Sequence, residues 1–456
     1  MRIFSVNEKD DHPMLFSSDE LRRLMLPLLI EQLLVVVMSI VNTIMVSSVG
    51  EDAVSAISLV DSINILLINV FAALATGGAV VTAQYLGRRE LDMAGKAAKQ
   101  LLYVMLAVSL LISGLSLLLY RSLLKAVFPN VNAAVMDYSR TYFLITIFSF
   151  PFLSVYSGGS ALLRAAGNSK ASLNTTLLIN LFNVAGNALL IYLFRMGVAG
   201  AAIAALTARI AGSVIMLHLL KEPHQQLLRI PSLWKYEWDE KMVKRILGIG
   251  IPNGLENSLF QLGKILLQSL VSSLGGVAIA ANAVASSLAG FQTIPGSAVS
   301  LALITVVGRC TGAREFGQAK QYVKKLMGFS YLTMALLVGV ILLAFPYVLQ
   351  SYDLSSETAA TVWQLIFTYT IVSALFWPSS FALPNALRAA GDVRYTMVVS
   401  GLSMLIFRIG FSYLLVQGFG MGVMGVWVAM MIDWFARSAA FFFRYRTGRW
   451  ERREIL

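Results

Sequence analysis

About a dozen stretches of this chain are apolar over the length that a helix needs to cross a lipid bilayer. A spanning helix takes roughly 20 residues, and inside hydrocarbon only helices and closed barrels satisfy their own backbone hydrogen bonds. Hydrophobic residues make up 57% of the chain and charged residues 13%, about half the charged share of a soluble protein. We predict an all-α membrane protein with twelve spans, at about 21–46, 54–85, 98–120, 139–161, 171–194, 197–219, 245–273, 277–307, 326–347, 361–384, 396–417 and 420–443.

The positive charges alternate between the two sides of the predicted membrane. Of 36 Lys and Arg residues, 28 fall in the two tails and in every second loop, whereas the opposite loops carry only Arg121, Lys125 and Arg195. The positive-inside rule therefore predicts a multi-pass protein of the cytoplasmic membrane with both termini cytoplasmic. The alternation also supports the span count, because one missed helix would invert every later loop. It explains the net charge of +12 without a nucleic-acid partner.

The second half of the chain repeats the first at an almost constant distance. Pro27 and Glu31 recur with the same separation as Pro252 and Glu256, and the sequence LRAAGN at 163–168 recurs as LRAAGD at 387–392. An even number of spans in each half predicts two six-helix lobes related by a parallel repeat, with the substrate site between them. The predicted domains are an N-terminal tail at 1–20, an N-lobe at 21–220, a linker at 221–244, a C-lobe at 245–443 and a basic tail at 444–456.

Carboxylates within the spans are candidates for ion coupling, because charge is costly in hydrocarbon and such a group can bind and release a proton. The candidates are Glu31, Asp61 and Glu256. The alternative is that each acid only hydrogen-bonds a neighbouring helix. Asp433 lies four residues before Arg437, a spacing that predicts an ion pair along one helix.

The fifth span carries Asn180, Asn183 and Asn187, whose spacing places them on one face of a helix. The matching positions in the second repeat are Met404, Phe407 and Phe411, which predicts a cavity with one amide wall and one adaptable apolar wall. The alternative is amide bonding between helices, at about 1 kcal/mol per bond. The cationic side chains of Lys264 and Arg408 lie within predicted spans, where each needs either a carboxylate partner or a water-filled cavity. The candidate cavity residues are Asn42, Asn180, Asn183, Asn187, Gln261, Lys264, Phe407, Arg408 and Phe411.

With these motifs the sequence resembles the MATE (multidrug and toxic compound extrusion) family. The likeness lies in the two prolines, the run at 42–50, the run at 84–87, the paired LRAAG motifs and the stretch at 183–187. The resemblance implies two lobes around a V-shaped cavity, alternating access, and exchange of protons or sodium ions for amphipathic, often cationic compounds. The chain departs from the family pattern at two positions. It has Asn42 and Asn187 where many members have aspartate.

The resulting prediction is a secondary-active multidrug efflux antiporter and not an enzyme. We expect a proton in preference to a sodium ion as the coupling ion, no other cofactor, no metal, an organic substrate, membrane lipid as surroundings, and a monomer. One alternative is a flippase of related fold for lipid-linked oligosaccharides, which Lys264 and Arg408 would favour if both faced the central space. The other is a membrane-embedded enzyme or receptor, which would need a catalytic or metal cluster.

Overall fold

The structure is a computed structural model that describes residues 14–129, 131–221, 228, 230, 235–350, 354–453 and 455. These residues form α-helices and no strand. The helices are α1 Ser18–Ser47, α2 Glu51–Gly87, α3 Leu91–Val127, α4 Ala133–Ile147, α5 Phe150–Ala165, α6 Ser169–Asn187, α7 Gly197–Lys221, α8 Glu240–Ser272, α9 Gly276–Gln292, α10 Ile294–Gly312, α11 Phe316–Gln350, α12 Ser356–Trp377, α13 Leu383–Ala389, α14 Val393–Ser403, α15 Phe411–Tyr413 and α16 Gly422–Arg446.

Short π-helical turns extend several of these helices. They lie at Ala188–Leu193, Pro378–Ala382, Met404–Gly410 and Leu414–Gly418. Among the described residues, ten helical stretches are long and apolar enough to cross a membrane, and α4 with α5, bent by 53°, makes an eleventh. Helix α8 takes the place of the predicted seventh span. The prediction of an all-α protein with twelve spans is confirmed.

The duplication extends to the geometry of the turns. Arg89 and Arg314 are the same number of residues apart as Pro27 and Pro252. Both arginines adopt the left-handed backbone conformation, with φ of 61° and 60°. Four further pairs of left-handed residues recur at this distance or one residue less, namely Gly50 with Gly275, Gly167 with Gly391, Arg195 with Gly420, and Gly197 with Gly422. Because residues other than glycine rarely adopt this conformation, its repetition at arginine shows that the two halves share one backbone design.

The LRAAG motif ends a helix in each half. The amide of Asn168 donates to the carbonyl of Leu163 at 2.8 Å, across Gly167 at φ 82°. In the second half the amide of Asp392 donates to the carbonyl of Leu387 at 2.9 Å. This six-to-one bond across a left-handed glycine satisfies helix-end carbonyls. The motif is therefore repeated for a structural reason.

By its internal contacts the chain divides into two compact units. The N-unit comprises Leu33–Gly254, and the C-unit comprises Met1–Gln32 with Leu255–Leu456. Each division falls inside a proline-bearing helix, shortly after Pro27 in α1 and Pro252 in α8, and both helices continue through their prolines. The predicted lobes begin at residues 21 and 245, so the two divisions differ over the first part of these helices.

Helix α2 packs closely against the first part of α8 within the N-unit. A Cβ atom added at Gly77 would lie 2.5 Å from the backbone oxygen of Ile246 and 2.9 Å from the backbone nitrogen of Gly250. Glycines at such contacts let two membrane helices approach backbone to backbone. Since this contact involves the first turns of α8, these turns belong with the N-unit.

Gly77→Ala should destabilise the protein, because the new methyl group meets backbone atoms that cannot move aside cheaply. Overpacking of this kind costs about 1–3 kcal/mol. Gly114→Ala is the matched control, since a Cβ at this position in α3 meets no atom within 4 Å. We expect a lower thermal unfolding midpoint in detergent for the first variant and an unchanged or higher midpoint for the second. Equal midpoints would contradict the close packing.

Candidate functional site

A pocket of about 510 Å³ lies within the N-unit. Among its polar lining residues are five that the sequence singled out, namely Asn42, Asp61, Asn180, Asn183 and Asn187. They come from helices α1, α2 and α6. The structure thus brings together one predicted coupling residue and the predicted amide wall.

The amide side chains of this pocket bond partly to one another. Asn187 donates from Nδ2 to Oδ1 of Asn42 at 3.2 Å and to Oδ1 of Asn183 at 3.3 Å. The first of these bonds joins two helices, as the alternative interpretation predicts. The side-chain oxygen of Asn187 is nevertheless buried without a donor in the part of the chain that the structure describes. One acceptor therefore remains for a ligand or an ion.

Asp61 lies in the same pocket with three polar neighbours. Asn64 donates from Nδ2 to Oδ1 of Asp61 at 3.1 Å, Tyr142 is within hydrogen-bonding reach, and Arg209 acts on the carboxylate through its charge. The side-chain oxygen of Asn64 is also buried with no donor among the described residues. Arg209 was not predicted for this site, because it lies on α7 and spacing along one helix gives no information about a neighbouring helix.

A second pocket, of about 370 Å³, lies within the C-unit. Lys264 and Arg408 both line it, as do Gln268, Asn282, Tyr369, Trp427 and Trp434. Gln268 lies one turn after Lys264 on the same face of α8, a spacing that could have identified it. The aromatic residues come from α12 and α16, and no local pattern linked them to this place.

Three predicted cavity residues lie elsewhere. Gln261, Phe407 and Phe411 are absent from the lining of both pockets, and the rings of Phe407 and Phe411 pack on each other with centroids 5.6 Å apart. The comparison with the asparagine stripe assumed an α-helical period. In the structure Met404–Gly410 is a π-helical turn, so the α-helical period does not hold over this stretch.

The predicted ion pair between Asp433 and Arg437 is wrong. Asp433 faces Arg408, with Oδ2 and Nη1 3.8 Å apart, and it accepts a hydrogen bond from Ser403. The guanidinium of Arg437 lies between the rings of Phe260 and Phe381, at 4.6 and 4.5 Å from their centroids. Stacking between these rings holds Arg437 towards α8.

Glu256 forms the centre of a buried ionic cluster in the C-unit. Its Oε1 accepts a hydrogen bond from Nη2 of Arg388 at 2.6 Å and lies 3.8 Å from Nη2 of Arg437. All three side chains are buried. Arg388 belongs to the LRAAG motif and was predicted to lie in a loop, so no sequence pattern indicated this pairing. Glu31, the third predicted coupling residue, is buried in α1.

Twelve spans in a duplicated arrangement, with a polar pocket in each unit, define a multi-pass membrane transporter. A family model described as MatE matches residues 27–189 and again residues 252–414. The chain belongs to the MatE family, and the resemblance seen in the sequence is confirmed. The two matched segments begin at the two repeated prolines, so they are separated by the distance of the internal repeat.

The chain matches relatives over nearly their whole length. It is 25% identical to the uncharacterized transporter YisQ of Bacillus subtilis, over 93% of each chain. It is 23% identical to the probable multidrug resistance protein NorM of Thermotoga maritima, over 96% of this chain and 94% of the relative. Among solved structures it resembles a MOP superfamily transporter from Pyrococcus furiosus, with a TM-score of 0.87 and 19% identity over 99% and 98% of the two chains.

Glu256→Gln should destabilise the fold strongly, because it leaves the buried guanidinium group of Arg388 without its paired carboxylate and removes one of the two carboxylates whose charge acts on Arg437. Breaking a buried ion pair from one side costs about 3–5 kcal/mol. Glu240→Gln is the matched control on the same helix, since Glu240 pairs with Lys244 at 2.6 Å on the surface, where such pairs contribute about 0–1 kcal/mol. Thermal unfolding in detergent measures both, and equal stability of the two variants would contradict the role of the cluster.

Proposed function

We propose that this chain is a secondary-active multidrug efflux antiporter, which exports amphipathic organic compounds, cations among them, in exchange for protons or sodium ions by alternating access. It would act as a monomer in the cytoplasmic membrane, surrounded by lipid, with both termini in the cytoplasm. The family supports transport, and the names of relatives such as the Thermotoga maritima protein support multidrug export. The observation that carries the proposal is an intramembrane carboxylate, Asp61, lining the N-unit pocket.

We assign the coupling role to Asp61 because its carboxylate lines the pocket and forms no ion pair within 4 Å among the described residues, although the charge of Arg209 acts on it from further away. The pocket offers the carboxylate together with buried amide oxygens that lack donors among the described residues. A proton or a cation can bind to such acceptors without breaking an ion pair of the core. A cationic substrate would compete with the coupling ion for the same carboxylate, and that competition would link export to ion entry.

Glu256 is less suited to coupling. Its protonation would remove the carboxylate that pairs with Arg388 and one of the two carboxylates whose charge acts on Arg437, so a buried charge would lose its partner. We therefore propose that Glu256 maintains the C-unit. Glu31, buried in α1 four residues after Pro27, is the second candidate for coupling.

Protons are favoured over sodium as the coupling ion. Within the described chain, Asp61 is the one acidic side chain that lines the N-unit pocket, and a single carboxylate suffices to carry a proton. Hard metal cations bind several oxygen ligands at once, whereas a proton needs a single acceptor. A response of transport to a sodium gradient and none to a pH gradient would overturn this choice.

Asp61→Asn should abolish transport driven by a pH gradient and weaken binding of a cationic dye, because the amide keeps the shape of the carboxyl group but carries no charge and cannot exchange a proton. Asp52→Asn is the matched control, at an exposed position of the same helix. The measurement is efflux of a cationic dye from proteoliposomes under an imposed pH gradient. Gradient-driven efflux by Asp61→Asn at the unaltered rate would remove Asp61 from the mechanism.

A flippase for lipid-linked oligosaccharides is the second candidate function. The observation that favours it is the presence of both Lys264 and Arg408 in the lining of the C-unit pocket, since such lipids carry phosphate groups. Translocation of a fluorescent phosphate-bearing lipid between leaflets, with no ion gradient present, would distinguish this function from antiport.

A further inference from the structure

The chemistry of the C-unit pocket differs from that of the N-unit pocket, and we propose that it binds an anionic group on an aromatic or apolar body. The anionic group would be a carboxylate, a sulfonate or a phosphate ester. This inference rests on the proposed function in one respect, which is that the bound compound would be transported. The binding itself needs no ion gradient and can be tested separately.

The first argument is charge. Lys264 and Arg408 line the C-unit pocket, and no acidic side chain is among its lining residues in the described part of the chain. The charge that acts on Lys264 is the like charge of Arg408. Asp433 offsets part of the charge of Arg408 from 3.8 Å away and is itself fully buried outside the lining. The pocket therefore presents positive charge.

The second argument is the balance of hydrogen-bond donors and acceptors. Nε of Arg408 and Nε1 of Trp434 are buried and have no acceptor among the described residues. Trp434 is 3% exposed, so bulk water does not readily supply one. Buried donors without partners are costly, and an anionic oxygen is the acceptor that would satisfy them best.

The two side-chain amide oxygens in the lining of the pocket already have donors. Oδ1 of Asn282 accepts from Nε1 of Trp427 at 2.9 Å, and Oε1 of Gln268 accepts from Nδ2 of Asn282 at 3.3 Å. The hydroxyl of Tyr369 donates to the backbone oxygen of Ala289 at 3.3 Å. The buried atoms of the lining residues that lack partners within the described chain are therefore the nitrogen donors of Arg408 and Trp434. In the N-unit pocket, by contrast, the buried amide atoms that lack partners are oxygens.

The third argument is the apolar wall. The ring of Tyr369 packs edge-on against Trp427 and Trp434, with centroids 5.3 and 5.5 Å apart, and Met430 also lines the pocket. The volume of about 370 Å³ falls in the range of pockets that hold small organic molecules. Flat rings and a thioether suit an aromatic ligand body.

The test uses three probes with one ring system and different charge, namely 2-naphthylacetate, 2-naphthylacetamide and 2-naphthylethylamine. Binding of each radiolabelled probe to the purified full-length protein in detergent is measured at neutral pH. We expect the acetate to bind about tenfold or more tightly than the other two, since hydrogen bonds to charged groups are the strong ones. Equal binding of the three, or preferred binding of the amine, would overturn the proposal.

Two variants assign the preference to the pocket. Lys264→Gln should reduce acetate binding about tenfold and leave amide binding unchanged, and Lys264→Arg should retain the preference for the acetate. Lys241→Gln is the control, at an exposed position of the same helix. Trp434→Phe removes the unpaired donor, keeps an aromatic ring and should weaken only the acetate. Unchanged acetate binding in both Lys264→Gln and Trp434→Phe would place the anion elsewhere and overturn the proposal.

Competition with dioleoylphosphatidate in mixed micelles identifies the source of the anion. Displacement of the acetate by this lipid, lost in Lys264→Gln, supports the site with a lipid phosphate as its ligand. Acetate binding that the lipid does not affect supports it with a soluble organic anion. Loss of gradient-driven efflux with intact acetate binding would count against antiport and leave this pocket assignment standing.

Discussion

The cost of charge inside a membrane determines much of the C-unit. Glu256, Arg388 and Arg437 lie on α8, α13 and α16, so one buried cluster ties three helices together. Arg437 also donates to the backbone oxygen of Ser380 at 3.0 Å. Pro384, four residues on, has no amide hydrogen to give that oxygen. The arginine thus supplies a donor that the proline-bearing turn lacks, while the carboxylate supplies its counter-charge.

The two halves share a backbone and differ in what they place inside it. Left-handed residues recur at the distance of the internal repeat, and so do the LRAAG helix ends. The side chains in the pockets do not follow this repeat, because the face that carries asparagines on α6 corresponds to Met404, Phe407 and Phe411. A π-helical turn begins at Met404, whereas α6 stays α-helical through Asn187. Divergence of the pockets therefore involves both side-chain identity and local winding.

Local and periodic features of the fold could be predicted from the sequence. The spans follow from apolar length, and the capping box at the start of α1 follows from Ser17 and Glu20, whose reciprocal hydrogen bonds measure 2.7 and 3.2 Å. The asparagine stripe follows from helical spacing. Contacts between distant helices could not be predicted, since Arg209 near Asp61 and Arg388 on Glu256 depend on which helices adjoin. The ion pair of Asp433 shows the same limit. Its spacing along the helix favoured Arg437, but in the structure Asp433 faces Arg408, which lies outside that helix.

The pockets of the two units differ in character although the backbone of the two halves repeats. The N-unit pocket now has a carboxylate and amide oxygens without donors, and the C-unit pocket has two cations and nitrogen donors without acceptors among the described residues. Groups of opposite character cannot be satisfied by one kind of ion. The two pockets therefore suit ligands of opposite charge, although the backbone around them is repeated.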